Sequence, residues 1–282
     1  MSLLPSLFAE GLPRSAVPLF SLGPLEVNNS MIVAGITTVV IIAVVQIAMR
    51  APKLIPSGLQ NFVEWLVEMM SDFLESLTGR ETMQRGFWYF ASIFVFIFIG
   101  NVISLFPGVG TIGWGHGQNW WNLEIDRPFL RGANADVNLT AAYAVIFFFL
   151  FFYWCLRPLG PRGFLSHIFG SQVKFDNTGL NLLFVLIFFM IGLIEMVVIL
   201  VVRPLAFTFR LYGNIYGGES FLDTIYHAAP DYVLGCLFLI LGYMWEFVVA
   251  FVQAFVFFIL TAVFTGILTN TDHSEEETKT AH

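Results

Sequence analysis

Long apolar runs alternate with short polar connections from residue 31 to residue 268. Two runs, residues 178–226 and 232–268, would measure roughly 70 and 55 Å as continuous helices. They are too long to stand upright in a bilayer, so we expect two long antiparallel helices that tilt steeply or run partly along the membrane. Glycines, Pro204 and intramembrane polar residues are the places where they can bend. The other runs are about 20 residues long, enough to cross a ~30 Å hydrocarbon core. These shorter spans are residues 31–49, 87–106 and 137–156.

A different pattern covers residues 57–79. Apolar side chains recur there every three or four positions, which is the period of an amphipathic helix. The polar face carries a stripe of acids and no Lys or Arg, so anionic lipid is not its expected partner. The pattern predicts an interfacial helix that either simply lies on the membrane surface or faces another protein or water. The acids are Glu64, Glu68, Asp72 and Glu75.

The amino-acid composition indicates the class of protein. Of 282 residues, 57% are hydrophobic and 12% charged, with a mean hydropathy of +0.78, whereas soluble domains carry about 25% charged residues. We therefore predict an all-α integral membrane protein with five crossings plus the interfacial helix. Its single membrane domain, residues 31–268, lies between an extramembrane segment, residues 1–30, and an acidic tail, residues 269–282. The phenylalanine-rich run at residues 147–152 is expected to face lipid.

The same composition narrows the function. No run of basic residues occurs, so nucleic acid is not an expected partner. No phosphate-binding G-x-x-x-x-G-K-[ST] loop occurs, so the chain has no expected nucleotide site. Cys155 and Cys236 both lie in apolar runs and indicate neither a disulfide framework nor a metal site. We expect no cofactor.

The basic residues predict the orientation. With the N-terminus outside and five crossings, eight of the thirteen Lys and Arg lie on the inner side. Arg14, Arg127 and Arg131 lie outside, and two arginines remain within the fourth crossing. This asymmetry follows the positive-inside rule and predicts an acidic C-terminal tail in the cytoplasm, or in its organellar equivalent.

One of those intramembrane arginines, Arg210, carries the main functional signal. A guanidinium stays protonated, and placing it at the centre of a membrane helix costs roughly 2.5–3.5 kcal/mol. Gly213 and Gly217 lie on its face of the helix and would let another helix approach closely. No acid of this chain is an obvious mate at that height and on that face, so we infer a compensating carboxylate on a different polypeptide.

The last two long helices carry further polar residues at matching heights. If Gln253 stands level with Arg210, then Glu246 stands nearly level with Glu219, because both separations are about 10–14 Å along the helix. The two carboxylates can then line a cavity while Arg210 faces elsewhere.

These residues resemble a known family. The segment from Arg203-Pro204 through Arg210-Leu211-Tyr212-Gly213-Asn214 to Gly218-Glu219, with Gln253-Ala254-Phe255 downstream, closely resembles subunit a of the F-type ATP synthases. Residues 135–140 look like that family's fourth-helix entry, and residues 101–107 like the end of its third helix. The resemblance covers residues 31–268.

The resemblance implies a rotary mechanism. Two offset half-channels carry H⁺ or Na⁺ to a ring of c-subunits, and Arg210 faces the ring carboxylate and blocks leakage. Asn214 and Gln253 would flank Arg210, Glu219 and Glu246 would line the outer half-channel, and Glu195 is a candidate for the inner one. The implied partners are the c-ring, b-type peripheral stalk subunits and the remaining ATP synthase subunits, in a bacterial plasma membrane rather than an organellar one.

Several alternatives remain open. The family commonly has a carboxylate and a histidine where this chain has Glu219 and Glu246, so the two carboxylates are expected to share a proton. His227 either replaces the missing histidine or is a solvated loop residue. Asp136 either caps a helix or contacts ions, and Arg203 either acts as a second functional cation or packs and snorkels. The alternative function is a stand-alone secondary transporter or channel that binds an anionic substrate through Arg210.

Overall fold

A computed structural model of the chain describes residues 18–23, 25–106, 109, 112–116, 124–169, 178–228 and 232–280. Within these ranges the chain forms seven α-helices and two antiparallel hairpins. The helices are α1 (Asn29–Ala48), α2 (Leu59–Thr78), α3 (Arg80–Ser104), α4 (Val137–Phe169, kinked at Gly160), α5 (Thr178–Val197), α6 (Arg203–Ala228) and α7 (Tyr232–Thr280). The hairpins pair β1 (Pro18–Leu22) with β2 (Leu25–Asn28), and β3 (Gly113–His116) with β4 (Glu124–Pro128).

Five helical segments of the described chain are long and apolar enough to cross a membrane. This confirms the predicted all-α membrane fold, and α2 is absent from the set, as its amphipathic pattern requires. The segments are Asn29–Ala48, Arg80–Ser104, Val137–Arg157, Leu183–Leu222 and Val233–Gly266.

The structure also contains elements that the sequence did not predict. Neither hairpin was predicted, because strands of four or five residues in Gly- and Pro-rich sequence show no clear alternation. Helix α7 continues to Thr280, past the predicted end of the membrane domain at residue 268. The division into domains stays a prediction.

Helix α2 packs on the bundle. Gly79 joins it directly to α3, with a φ of 78° that a residue bearing a Cβ rarely adopts. The Phe73 ring lies 5.4 Å from the Phe255 ring of α7, and a Cβ on Gly266 would come within 3.1 Å of the Thr78 Cα. The apolar face of α2 therefore covers α7, and its acidic stripe is left on the outer side.

Aromatic rings fill the centre of the bundle. Phe147 of α4 is fully buried, and its ring lies 5.8 Å from that of Phe207 in α6. The Phe207 ring in turn lies 5.1 Å from that of Phe257 in α7. The expectation that residues 147–152 face lipid was therefore wrong for much of the run: Phe149 is 74% exposed, but Phe147, Phe148 and Phe151 are buried. Apolar composition does not distinguish a lipid-facing position from a helix-facing one.

A π-helical turn, Val198–Val202, joins α5 to α6. Pro204 follows it, and proline has no N–H to donate and crowds the carbonyl four residues earlier. The wider turn accommodates this, since the Arg203 N–H donates to the Val198 carbonyl five residues back. The long apolar segment is thus interrupted next to Pro204, one of several positions where the sequence allows a bend.

Candidate functional site

Helices α3, α6 and α7 line a small recess. Positions 246, 249, 250 and 253 of α7 all contribute, because this spacing lies on one face of a helix. The recess thus brings together three residues predicted for an ion pathway, Asn214, Glu246 and Gln253. Its full lining is Asn101, Leu105, Leu211, Asn214, Ile215, Glu246, Val249, Ala250 and Gln253.

Arg210 lies on α6, one residue before Leu211 of the recess wall. Among the described residues, its buried Nη1 has no hydrogen-bond partner, and neither has the buried Oε1 of Gln253. Buried polar atoms in folded proteins almost always have partners. Both atoms therefore have unused hydrogen-bonding capacity within this chain.

A strip of two glycines lies beside Arg210. Gly213 and Gly217 are exposed, and a Cβ added to either one would meet no atom within 4 Å. We call these two residues the glycine strip. No described part of the chain covers it, so a second helix could approach the α6 backbone closely here.

Glu219 forms an ion pair that the sequence did not predict. Its Oε2 lies 3.4 Å from Nη2 of Arg131, which is fully buried, while the Glu219 side chain is 22% exposed. Arg131 was predicted to lie on the outer side of the membrane, and that side stays a prediction. Its burial was not predicted: it lies in a buried segment, residues 131–136, that packs against α1, α3 and α6.

Glu246 has different surroundings. Its carboxylate lies against the backbone of Gly218, where an added Cβ would come within 2.6 Å of the carboxyl carbon. Glu246 therefore lies at the height of Gly218 and Glu219, as the helix arithmetic predicted. The two carboxylates nevertheless contact different groups, Arg131 for Glu219 and Gly218 for Glu246.

Asp136 caps helix α4. Its Oδ1 accepts a hydrogen bond of 2.9 Å from the backbone N–H of Asn138, and its Oδ2 lies 3.5 Å from Nδ2 of Asn28. Side-chain acceptors at this position satisfy the free N–H groups of a helix start. Of the two roles proposed from the sequence, the capping role has direct geometric support.

A second polar link holds the same segment to the recess. Asn134 Nδ2 donates to Oδ1 of Asn101 at 2.6 Å, and Asn101 Nδ2 donates to the Ala250 carbonyl at 3.4 Å. Both asparagines are buried. Residues 131–136, α3 and α7 are thereby connected around the recess.

The remaining candidates lie apart from the recess lining. The guanidinium of Arg203 lies 4.1 Å above the Phe264 ring, which favours the packing role, and Glu195 acts on it electrostatically. The backbone of His227 belongs to the last turns of α6, and its side chain is outside the described part of the structure. Among the described residues, no three His, Cys, Asp or Glu side chains group as metal ligands.

Arg131 is the residue that the sequence reasoning missed. Counting it as a loop cation followed the positive-inside rule, which concerns orientation and not burial. The available signal was its setting: Arg131 is followed by Gly132 and Ala133 and lies five residues before Asp136, where a span begins. Such small residues allow a charged loop to pack closely.

Comparison with known proteins assigns the chain to a family. The sequence model of the ATP synthase A chain family matches residues 31–266. The chain is 26% identical over 248 residues to ATP synthase subunit a of Moorella thermoacetica, covering 88% of this chain and 94% of that protein. It is 27% identical over 261 residues to ATP synthase subunit a of Lysinibacillus sphaericus, covering 91% and 98%. It is 28% identical over 251 residues to ATP synthase subunit a of Gloeobacter violaceus, covering 88% and 86%.

These relatives match this chain over most of their own length. All three are named as subunits of ATP synthase, and none is named as a stand-alone transporter. With five apolar segments, the chain is a multi-pass membrane protein that works within a complex of other subunits. The match of the family model across most of its length means that this chain belongs to the ATP synthase A chain family.

Proposed function

We propose that this chain is the ion-conducting stator subunit of a rotary ATP synthase, in which Arg210 faces the carboxylates of a c-subunit ring. The observation that carries the proposal is the buried Nη1 of Arg210 without a partner in the described chain, beside the uncovered glycine strip. A cation in this position requires an anion, and a helix packed on Gly213 and Gly217 could supply one.

In this proposal the charge of Arg210 has two effects, one on the ring carboxylate and one on the transported cation. A ring carboxylate that has lost its proton is stabilised beside the guanidinium, whereas a protonated one gains nothing and moves away into lipid. The fixed positive charge also repels a cation that would pass straight between the half-channels. Each elementary charge crossing the membrane supplies about 2.3 kcal/mol per 100 mV, which drives rotation.

The recess fits the outer half-channel. Glu246 is the ionisable group in its lining, and the amides of Asn214 and Gln253 supply hydrogen-bond donors and acceptors towards Arg210. Glu219, with a partly exposed side chain, lies one residue beyond Gly218. We assign the inner half-channel to the side of Glu195, which shares the long helix and lies on the opposite side of Arg210 along it.

The partners and location follow from the same proposal. The c-ring packs on the glycine strip, and b-type stalk subunits with the remaining subunits hold the chain against rotation. The membrane is the bacterial plasma membrane, with the N-terminus outside and the C-terminus in the cytoplasm. H⁺ or Na⁺ is the transported ion, and the ring carboxylate decides between them.

Replacement of Arg210 tests the proposal. We expect Arg210→Ala to abolish coupled ATP synthesis and ATP-driven pumping in membrane vesicles while the complex still assembles. Arg210→Lys should also fail substantially, because a desolvated ammonium can lose its proton and offers no planar fork. The matched control is Arg85→Ala, an arginine that is 51% exposed and paired with Glu81 on the same helix. Near-normal coupled pumping by Arg210→Ala would refute the proposal.

A further inference from the structure

The Arg131–Glu219 ion pair joins two parts of the chain that are 88 residues apart. Arg131 is fully buried, and its Nη2 lies 3.4 Å from the Glu219 carboxylate. Burying a lone guanidinium or carboxylate is costly unless an opposite charge and hydrogen bonds compensate it. The arginine stays protonated, so its charge compensates that of the Glu219 carboxylate.

Neighbouring contacts fix the register of this pair. A Cβ on Gly132 would lie 2.8 Å from Ser104 Cβ and 3.6 Å from Ile215 Cγ2, so the loop backbone approaches α3 and α6 closely at this point. Ile215 precedes Glu219 by four residues, about one helical turn. Consecutive loop residues, Arg131 and Gly132, thus meet consecutive turns of one face of α6.

Glu246 has no such cation. No described Lys, Arg or His nitrogen lies within ion-pair distance of its carboxylate. Its surroundings are the backbone of Gly218 and the recess it shares with Asn214 and Gln253. Of the two carboxylates, one is paired with a buried cation, and the other has no cation of the described residues within ion-pair distance.

We propose that Arg131 is a positioning residue that holds Glu219 as a fixed anion at the outer half-channel and leaves Glu246 as the carboxylate that exchanges protons. The proposal rests on the function proposed above and replaces the expected shared proton with a division of roles. The fixed anion attracts cations to the channel mouth. An anionic cleft of this kind raises the rate of cation arrival by about 10- to 1,000-fold.

The test is a double-variant cycle in the intact complex. Passive proton flux through membranes stripped of the soluble ATPase is measured per assembled membrane sector for Arg131→Gln, Glu219→Gln and the two combined. Without Arg131, the partly exposed Glu219 carboxylate loses its compensating cation, and its ionised form becomes less favourable. We expect each single variant to lower flux about tenfold and the combination to be within about twofold of either, since both remove the same charge.

Two further variants distinguish a positioning role of Arg131 from a purely structural role. Arg131→Lys keeps a cation and should retain more flux than Arg131→Gln, a difference that a purely steric role would not produce. Glu246→Gln should stop flux far more completely than Glu219→Gln, because it removes the exchanging group. The matched control is the same cycle on Glu81 and Arg85, whose side chains are 53% and 51% exposed and whose replacement should leave flux unchanged.

The outcomes are distinct. Losses that multiply between positions 131 and 219, or a Glu219→Gln variant as inactive as Glu246→Gln, overturn the proposal. If Arg131→Gln alone prevents assembly of the complex, assembly of the combined variant supports the proposed role of the Arg131–Glu219 ion pair. Failure of both the combined variant and Arg131→Lys to assemble overturns that role. Arg210→Ala is run in parallel: if that variant stays coupled, the proposed function fails whatever the cycle gives. If it is uncoupled and the cycle is additive, only the role of Arg131 fails.

Discussion

Gly218→Ala tests whether proton flux depends on where the Glu246 carboxylate lies. The new Cβ would come within 2.6 Å of the carboxyl carbon and 2.9 Å of Oε1, far inside van der Waals contact. Overpacking of this kind costs about 1–3 kcal/mol. At 1.4 kcal/mol per factor of ten, the present carboxylate position becomes about 5- to 150-fold less populated.

Passive proton flux per assembled membrane sector is the appropriate assay, because it reports conduction through the proposed half-channels without requiring catalysis. We expect flux to fall by a factor within that range. Glu246→Asp, added to Gly218→Ala, withdraws the carboxylate by one methylene and should recover flux severalfold over Gly218→Ala alone. The control is Gly35→Ala in α1, where an added Cβ meets nothing within 4 Å.

Two results would refute the reasoning. One is unchanged flux in Gly218→Ala, which would mean that the carboxylate conducts equally well from another position. The other is a combined variant no better than Gly218→Ala alone. In that case the loss would arise from the α6 backbone and not from the contact between Gly218 and Glu246.

Two other changes probe separate contacts. A cysteine at position 214 should form a disulfide with cysteines on the ring helix much faster than a cysteine at position 215. The reason is that Ile215 packs against Gly132 inside the bundle. Equal rates of disulfide formation would place the ring on another face of α6. Phe264→Leu removes the aromatic face beneath Arg203 and should destabilise the membrane sector by about 1–2 kcal/mol, measured as a lower Tm. The control Phe264→Tyr keeps the ring and should have a normal Tm. A normal Tm for the leucine variant would show that the ring contact contributes nothing to stability.

The spans could be predicted because the bilayer imposes their length and composition. A charge such as Arg210 stands out against that background without any knowledge of its contacts. The burial of Phe147 could not be predicted in the same way, since lipid and a neighbouring helix select the same side chain. A hydropathy pattern shows that a residue avoids water and does not show which apolar surface it meets.

The position of Arg131 lay beyond the sequence for a different reason. Its burial depends on Glu219, a residue 88 positions away, and on the close approach that Gly132 allows. Each residue alone suggests an ordinary loop or an ordinary pathway acid. Arg131 and Glu219 become a pair only through the tertiary packing of residues 131–136 against α6. No periodic pattern in the local sequence indicates that packing.

The π-turn at Val198–Val202 has an evolutionary consequence. A π-turn holds one residue more than the α-helical turn it replaces. Removing a residue there would restore regular winding and leave the rotational phase of both flanking helices unchanged, whereas a deletion elsewhere would rotate Arg210 by about 100° relative to Glu195. We expect a one-residue deletion at this turn to be tolerated better than one elsewhere in the long helix. The chain can thus lose one residue here without rotating Arg210 relative to Glu195.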